Sequence, residues 1–179
     1  MMNLNLDEFP NFNSADLKDL LFVYFRFKRG YHCVTEIPLL YKDIEDFIAF
    51  NDNEILCVEI KVDRQDFLND FKTKKKHVKN SEMGYDKFYF CVPPSLISFS
   101  KNMLENYPNY GILSVKPYFV GRNKKYEIYS VKSAKVAENV SNIKNSREIM
   151  NKLYMRMSSE LAQKRLENFK RKFYESSKK

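Results

Sequence analysis

Three residues in the first half of the chain have the types and spacing of a metal-dependent hydrolytic site. Asp46 precedes Glu59 by 13 positions, and Lys61 follows Glu59 by two. Carboxylates hold Mg²⁺, which prefers oxygen ligands and also takes waters and substrate phosphate oxygens. An ammonium beside the ion can orient or deprotonate the attacking water and stabilise developing charge. These residue types suit hydrolysis of a phosphodiester.

A predicted β-hairpin positions the three residues. Residues 44–50 and 55–61 have the apolar pattern of two strands, separated by the polar stretch Asn51–Glu54. If the two central residues of that stretch form the turn, the positions that pair across the hairpin have numbers that sum to 105. The hairpin therefore fixes which side chains lie opposite one another.

In this register Asp46 lies opposite Glu59, with the two Cβ atoms about 5 Å apart, and Lys61 projects from the same side as Glu59. Two carboxylates so close repel, and a divalent cation would compensate them. We therefore predict Asp46 and Glu59 as metal ligands, the Ile60 carbonyl as a backbone ligand, and Lys61 as the group that positions the water. A slip of one residue in the register would bring Glu45 to the site instead.

The remaining pattern predicts an α/β fold with a mixed sheet. A helix begins near Asn13 or Ser14 and ends at Gly30, and Pro38 limits the strand that follows to a strand end or a sheet edge. After the hairpin come a charged helix from Asp66, an aromatic strand, a short helical or loop segment, two further strands and a long helix from about Ser146. The chain has no glycine-rich phosphate loop.

The sequence around these residues resembles the PD-(D/E)xK nuclease superfamily, of restriction-endonuclease-like fold. Asp46 and the Glu59-Ile60-Lys61 triplet match its D-x(n)-(D/E)-x-K signature, with Glu45 in place of the usual proline. The stretch EIKVDRQDFLNDFKTKKK, followed by YDKFYFCVP, looks like the MmcB-like DNA-repair branch. The resemblance implies an αβββαβ core and DNA cleavage that depends on Mg²⁺, with Mn²⁺ as a substitute, although some members have lost catalysis.

Further charged residues have both a binding and a structural interpretation. Glu36, in the preceding strand, is either an additional ligand or a partner in a salt bridge, and Asp66 is better explained as a charge at a helix N-terminus. A basic group around the next helix is either a phosphate contact or a favourable charge at the helix C-terminus. It comprises Arg64, Lys72, Lys74, Lys75, Lys76 and Lys79.

Composition and charge are consistent with a folded, intracellular protein that binds a polyanion. Hydrophobic residues make up 44% of the chain and the net charge is +8. Residues 144–179 hold 11 basic and 4 acidic side chains, whereas residues 1–143 hold 20 and 19. We therefore predict a nuclease-like α/β domain over 1–143 and a basic C-terminal helix over 144–179. The three cysteines lack metal or redox spacing, which indicates buried thiols in a reducing, cytoplasmic setting.

The expected function is a DNA nuclease that acts in DNA repair or in phage or mobile-element DNA processing. The alternative is a catalytically inactive nuclease-fold protein that binds nucleic acid or a protein partner. The sequence leaves RNA open as a substrate and leaves a homodimer open, while no apolar run approaches the length of about 20 residues of a membrane span.

Overall fold

A mixed sheet of six strands, in the order β1-β2-β3-β4-β5-β6, forms the framework of the first of two structural units. The units are Met1–Asn145 and Ser146–Lys179. The computed structural model describes residues 11–38, 44–73, 84–120, 126–140 and 147–176. The strands are β1 His32–Pro38, β2 Ile44–Phe50, β3 Ile55–Ile60, β4 Lys87–Cys91, β5 Gly111–Val120 and β6 Tyr126–Lys135.

The pairing of neighbouring strands changes twice across this sheet, from antiparallel to parallel and back to antiparallel. Strands β1, β2 and β3 are antiparallel, β4 runs parallel to both β3 and β5, and β6 is antiparallel to β5. The parallel step from β3 to β4 needs a crossover, which the helix α2 Arg64–Thr73 provides. The order α1, β1, β2, β3, α2, β4 is the αβββαβ core that was predicted, with Pro38 at the end of an edge strand as expected.

The helix α1 Ser14–Val23 covers one face of the sheet. Asn13 caps it, because its side chain accepts from the Asp16 N–H while the Asp16 carboxylate accepts from the Asn13 N–H. Buried residues of this helix pack on alternate residues of the central strands. This core contains Leu17, Leu21, Phe25, Phe47, Leu56, Val58 and Ile60 among others.

The end of this first helical region differs from the prediction. A π-helical turn, Tyr24–Lys28, follows α1, and Gly30 then ends the helix with a φ of 75°. The wider turn was not predicted, because the apolar spacing of the sequence fits a regular α-helix as well.

The opposite face of the sheet is covered by α2 and by α3 Ile97–Met103 through aromatic contacts. Asp63 caps α2 by accepting from the Asp66 N–H at 2.8 Å. The Phe67 ring lies 4.5 Å from Phe90 and 5.8 Å from Phe99 between centroids. This aromatic cluster fixes the helix over the end of β3.

Gly111 allows a close contact between two neighbouring strands. A Cβ atom built at this position would lie 2.3 Å from the Tyr89 ring and 2.8 Å from the Ala137 backbone nitrogen. No side chain fits there unless Tyr89 moves.

The second unit consists of α4 Arg147–Ser176, which agrees with the predicted long terminal helix. Ion pairs one turn apart join Lys152 to Glu148 and Arg156 to Glu160. Of the helices that the structure describes, none has a stretch long and apolar enough to cross a membrane.

Candidate metal site at the end of the central hairpin

The hairpin has the register that the sequence predicts. The Asn51 side chain accepts from the backbone N–H groups of Asn53 and Glu54, which closes the turn. Phe50 then pairs with Ile55, and the pairing continues with the same register to Phe47 and Val58. The prediction of paired positions that sum to 105 is therefore confirmed over this part of the hairpin.

Beyond the Phe47–Val58 pair the two strands are joined by a side chain. The Ile60 N–H donates to Asp46 Oδ2 at 2.9 Å, in place of a bond to a backbone carbonyl of β2. The N–H and C=O of one strand residue point to the same side, so the Ile60 carbonyl also faces β2 at this break. This direction is compatible with its predicted role as a backbone ligand.

Glu45, rather than Asp46, belongs to the group that contains Glu59. Glu45, Cys57 and Glu59 each offer one ligand atom, and these three atoms lie within 4.8 Å of one another. All three residues are buried, and the Cys57 thiol donates to Glu45 Oε2 at 3.3 Å. The structure thus brings Glu45 and Cys57 together with Glu59, whereas the role of Asp46 as a metal ligand stays a prediction.

The cause is a break in side-chain alternation. Glu45 and Phe47 would share a face in a regular strand, yet Phe47 packs in the core under α1 while Glu45 contacts Cys57 on the other face. On the neighbouring strand, Glu36 lies between the residues paired with these two and has a positive φ of 52°. The backbone is irregular here, which a pairing rule based on regular strands does not anticipate.

Lys61 lies within reach of three carboxylates. Its Nζ is 3.0 Å from Asp70 Oδ1, 3.6 Å from Glu59 Oε2 and 3.6 Å from Asp66 Oδ1. Burial alone would lower the pKa of this ammonium, but the surrounding negative charges, Asp70 first, outweigh burial and raise the pKa above its ordinary value. Lys61 is therefore held as a cation beside Glu59.

The contribution of α2 was underestimated from the sequence. Asp66 and Asp70 are one helical turn apart and both face Lys61, while the adjacent pair Phe67 and Phe71 faces the aromatic cluster. Asp66 lies in the first turn of α2, as predicted for a helix-terminal charge, but its contact with Lys61 was not predicted, and no role was predicted for Asp70. The repeated Asp-Phe pair at a spacing of four was the signal that could have found this acidic face.

Tyr85 is a further residue that the sequence analysis missed. Its side chain is only 2% exposed, and its hydroxyl has no hydrogen-bond partner among the residues that the structure describes. Burial raises the pKa of this hydroxyl well above its ordinary value, and the nearby Cys57, Glu45 and Glu59 raise it further. Tyr85 therefore belongs to the surroundings of the carboxylate–thiol group.

The structure describes three of the other predicted binding residues, namely Glu36, Arg64 and Lys72. Glu36 is exposed, and its carboxylate contacts Lys18 of α1 at 2.8 Å, in agreement with the salt-bridge interpretation. Arg64 is exposed, with its guanidinium 5.4 Å from the centroid of the Phe99 ring, and Lys72 is exposed on α2. The remaining lysines of the basic run lie outside the described residues, namely Lys74, Lys75, Lys76 and Lys79.

A separate polar group lies at the opposite end of β3. Glu54 accepts hydrogen bonds from the Tyr31 hydroxyl and from Lys87 Nζ, the latter at 2.7 Å. Burial raises the pKa of Glu54, but these hydrogen bonds outweigh it and the net pKa is lowered. The three side chains tie the start of β1 to β3 and β4.

Comparison with known proteins supports the fold. The chain matches no family model and no curated protein. It is similar to a solved protein of unknown function from Silicibacter pomeroyi, with a TM-score of 0.60 and 17% identity over 91% of this chain and 93% of that one. At this identity the likeness shows the fold alone, an α/β architecture with a mixed sheet and flanking helices.

Proposed function

We propose that the protein is a metal-dependent DNA nuclease whose site is formed by Glu45, Glu59 and Lys61. The observation that carries the proposal is the close grouping of buried acidic side chains at the end of the central hairpin. Glu45, Glu59 and Asp70 are each no more than 5% exposed, and the buried Lys61 ammonium lies beside Glu59 and Asp70. Buried carboxylates are costly unless they are paired or bind a metal, and Glu45 and Glu59 each offer an oxygen within 4.8 Å of the other, close enough for one divalent ion.

The donor set fits Mg²⁺ or Mn²⁺. Glu45 and Glu59 supply hard carboxylate oxygens, and the Ile60 carbonyl faces the same break between β2 and β3. A bound Mg²⁺ typically keeps several waters and takes one or two protein carboxylates. When bound, such an ion would make a coordinated water more acidic and offset negative charge on a scissile phosphate.

The residues of this chain would divide the remaining work. Lys61, held as a cation, can donate a hydrogen bond to the attacking water or to a phosphate oxygen. Asp70 and Asp66 hold the Lys61 side chain in place and so act as positioning residues. Asp46 keeps the Ile60 backbone in position and thereby orients the neighbouring Glu59.

DNA is the substrate that the sequence resemblance and the charge favour. The net charge of +8 suits a phosphate backbone, and the basic run that begins at Lys72 follows the site directly in the chain. We place this activity in the cytoplasm, in DNA repair or the processing of phage or mobile-element DNA, since the three cysteines are free and buried as in reducing compartments.

One observation favours a noncatalytic nuclease-fold protein as the second candidate. Lys61 lies closer to Asp70 than to Glu59, and Glu59 is fully buried, so the cluster could serve as a structural ion-pair network. Such a protein would bind DNA or a protein partner without cutting.

The test is cleavage of labelled single-stranded, duplex and branched DNA with Mg²⁺, Mn²⁺ or EDTA. We expect wild type to cut only with metal, and Glu59→Gln and Lys61→Ala to be inactive while they remain folded. Lys18→Ala, which changes a half-buried lysine on the other side of the sheet, serves as the control and should cut normally. Binding without cleavage by wild type under every condition would favour the noncatalytic protein.

A further inference from the structure

The carboxylate group described above includes a sulfur atom, which a Mg²⁺ site does not need. We infer that Glu45, Cys57 and Glu59 form a mixed carboxylate–thiol site that takes thiophilic divalent ions such as Zn²⁺, Co²⁺ and Cd²⁺. Binding of these ions is independent of the proposed function. That they displace Mg²⁺ and inhibit cleavage is a consequence that rests on the proposed function.

The spacing of the three ligand atoms suits a single ion. Zinc lies about 2.0–2.2 Å from a carboxylate oxygen and about 2.3 Å from a cysteine sulfur, so two ligands of one ion are at most about 4.5 Å apart. In this chain the three atoms already lie within 4.8 Å of one another, and Cys57 Sγ is 3.3 Å from Glu45 Oε2. Small side-chain rotations would therefore bring all three into coordination.

Tyr85 gives a second and independent indication of a ligand. Its hydroxyl is buried and lacks a hydrogen-bond partner within the described part of the chain, and its ring lies 5.7 Å between centroids from Phe88, the residue of β4 that pairs with Cys57. A buried polar group left unsatisfied costs about 1–3 kcal/mol. A water held as the fourth ligand of an ion would give this hydroxyl a partner.

The donor types determine which ions the site prefers. Thiolate ligands favour Zn²⁺ and other thiophilic ions, whereas Mg²⁺ is bound through oxygen. As the metal–sulfur bond forms, the Cys57 S–H bond breaks and its proton passes to solvent. Two carboxylates, one thiolate and one water then complete the four-coordinate shell that zinc commonly adopts.

The experiment is a Co²⁺ titration of the full chain followed by absorption spectroscopy. We expect wild type to show a thiolate-to-cobalt charge-transfer band that saturates at one ion per chain. Cys57→Ser should lose the band. Cys91→Ser should keep it, because Cys91 is also a buried thiol but lies in the core under α1, on the other face of the sheet. A wild-type protein without the band, or a Cys57→Ser variant that retains it, would overturn the inference.

Cadmium NMR on unmodified protein covers the case in which Cys57→Ser fails to fold. A ¹¹³Cd resonance in the range of mixed sulfur–oxygen ligation supports the site, and a resonance typical of oxygen ligands only overturns it.

Cleavage assays separate this inference from the proposed function. A thiolate band without any Mg²⁺-dependent cleavage would support the ion site and contradict the proposed nuclease activity. Mg²⁺-dependent cleavage without the band would support the nuclease activity and contradict the ion site.

Discussion

Asp46 Oδ2 accepts the Ile60 backbone N–H at 2.9 Å, at the point where the backbone pairing of β2 and β3 ends. The carboxylate thus replaces a carbonyl of the neighbouring strand. Asp46 matched the family signature, yet its observed contact is with the backbone, and the adjacent Glu45 reaches the group that contains Glu59. These two neighbouring acidic residues therefore have different roles that substitution can separate.

We expect Glu45→Gln to lower the cleavage rate by more than about 100-fold. This decrease exceeds the roughly 10–100-fold decrease that is typical when a residue that supports a ligand is replaced. Asp46→Asn keeps an oxygen that can accept from Ile60, so its loss should stay within that supporting range. Cleavage rates at saturating Mn²⁺ measure both. A complete loss in Asp46→Asn at unchanged stability, with Glu45→Gln active, would restore Asp46 as the ligand.

The same hydrogen bond should be visible in stability. Asp46→Ala leaves the Ile60 N–H without its acceptor, and we expect the free energy of unfolding to fall by about 1–3 kcal/mol. Urea unfolding in EDTA measures this, with Asp46→Asn as the matched control that retains the acceptor. Equal stability of Asp46→Ala and wild type would show that the bond contributes nothing.

Replacing the buried cation should destabilise the protein strongly. Lys61→Met leaves Glu59 and Asp70 without their ammonium, and loss of one partner of a buried ion pair costs about 3–5 kcal/mol. Lys18→Met removes an exposed pair with Glu36 and should cost no more than about 1 kcal/mol. Urea unfolding in EDTA compares the two variants.

Saturating Mg²⁺ should restore part of the stability of Lys61→Met, because a divalent cation supplies the missing positive charge. It should not restore cleavage, since the group that positions the water is gone. Thermal unfolding with and without Mg²⁺, run beside a cleavage assay, gives both readings. If Mg²⁺ does not change the melting temperature of Lys61→Met, the result would argue against an ion beside Glu59.

Glu54 should make stability sensitive to acid. Its pKa in the folded protein is lowered from the ordinary value of 4.5 by the hydrogen bonds from Lys87 and Tyr31. The stabilisation is therefore fully present above pH 4.5 and is lost as the pH falls through the lower folded value. Urea midpoints of wild type should drop more between pH 6 and pH 3 than those of Glu54→Gln. Parallel curves would contradict this assignment.

DNA binding tests the basic run that begins on α2. Replacing Lys72, Lys74 and Lys75 together with alanine should weaken binding and flatten the dependence of log K on log salt by about 0.9 for each phosphate that is no longer neutralised. Fluorescence anisotropy at several salt concentrations measures the slope. An unchanged slope would mean that these lysines do not neutralise DNA phosphates.

The fold followed from the sequence because the signals were local. The Asn13 cap, the turn at Asn51–Glu54 and the limiting Pro38 each act within a few residues, so the element order and the hairpin register were predicted correctly. The π-helical turn after Val23 was not, since nothing in its apolar spacing distinguishes it from an α-helix.

The candidate site was predicted less completely, because it depends on departures from regular geometry. Glu59 and Lys61 lie together as predicted. The change from Asp46 to Glu45 arises from a break in strand alternation opposite Glu36, which no pairing rule contains. Asp70 and Tyr85 lie near the site because the elements that carry them pack against the hairpin. Both are separated from the hairpin in sequence, and local sequence patterns do not predict such contacts.

Gly111 carries a consequence for how related sequences can diverge. A side chain there would occupy the space of the Tyr89 ring. Selection on folding should therefore keep this glycine in active and inactive relatives alike, whereas Glu45 would be free to vary once catalysis is lost. Comparing substitution patterns at these positions would separate descendants that retain only the architecture from those that retain the chemistry.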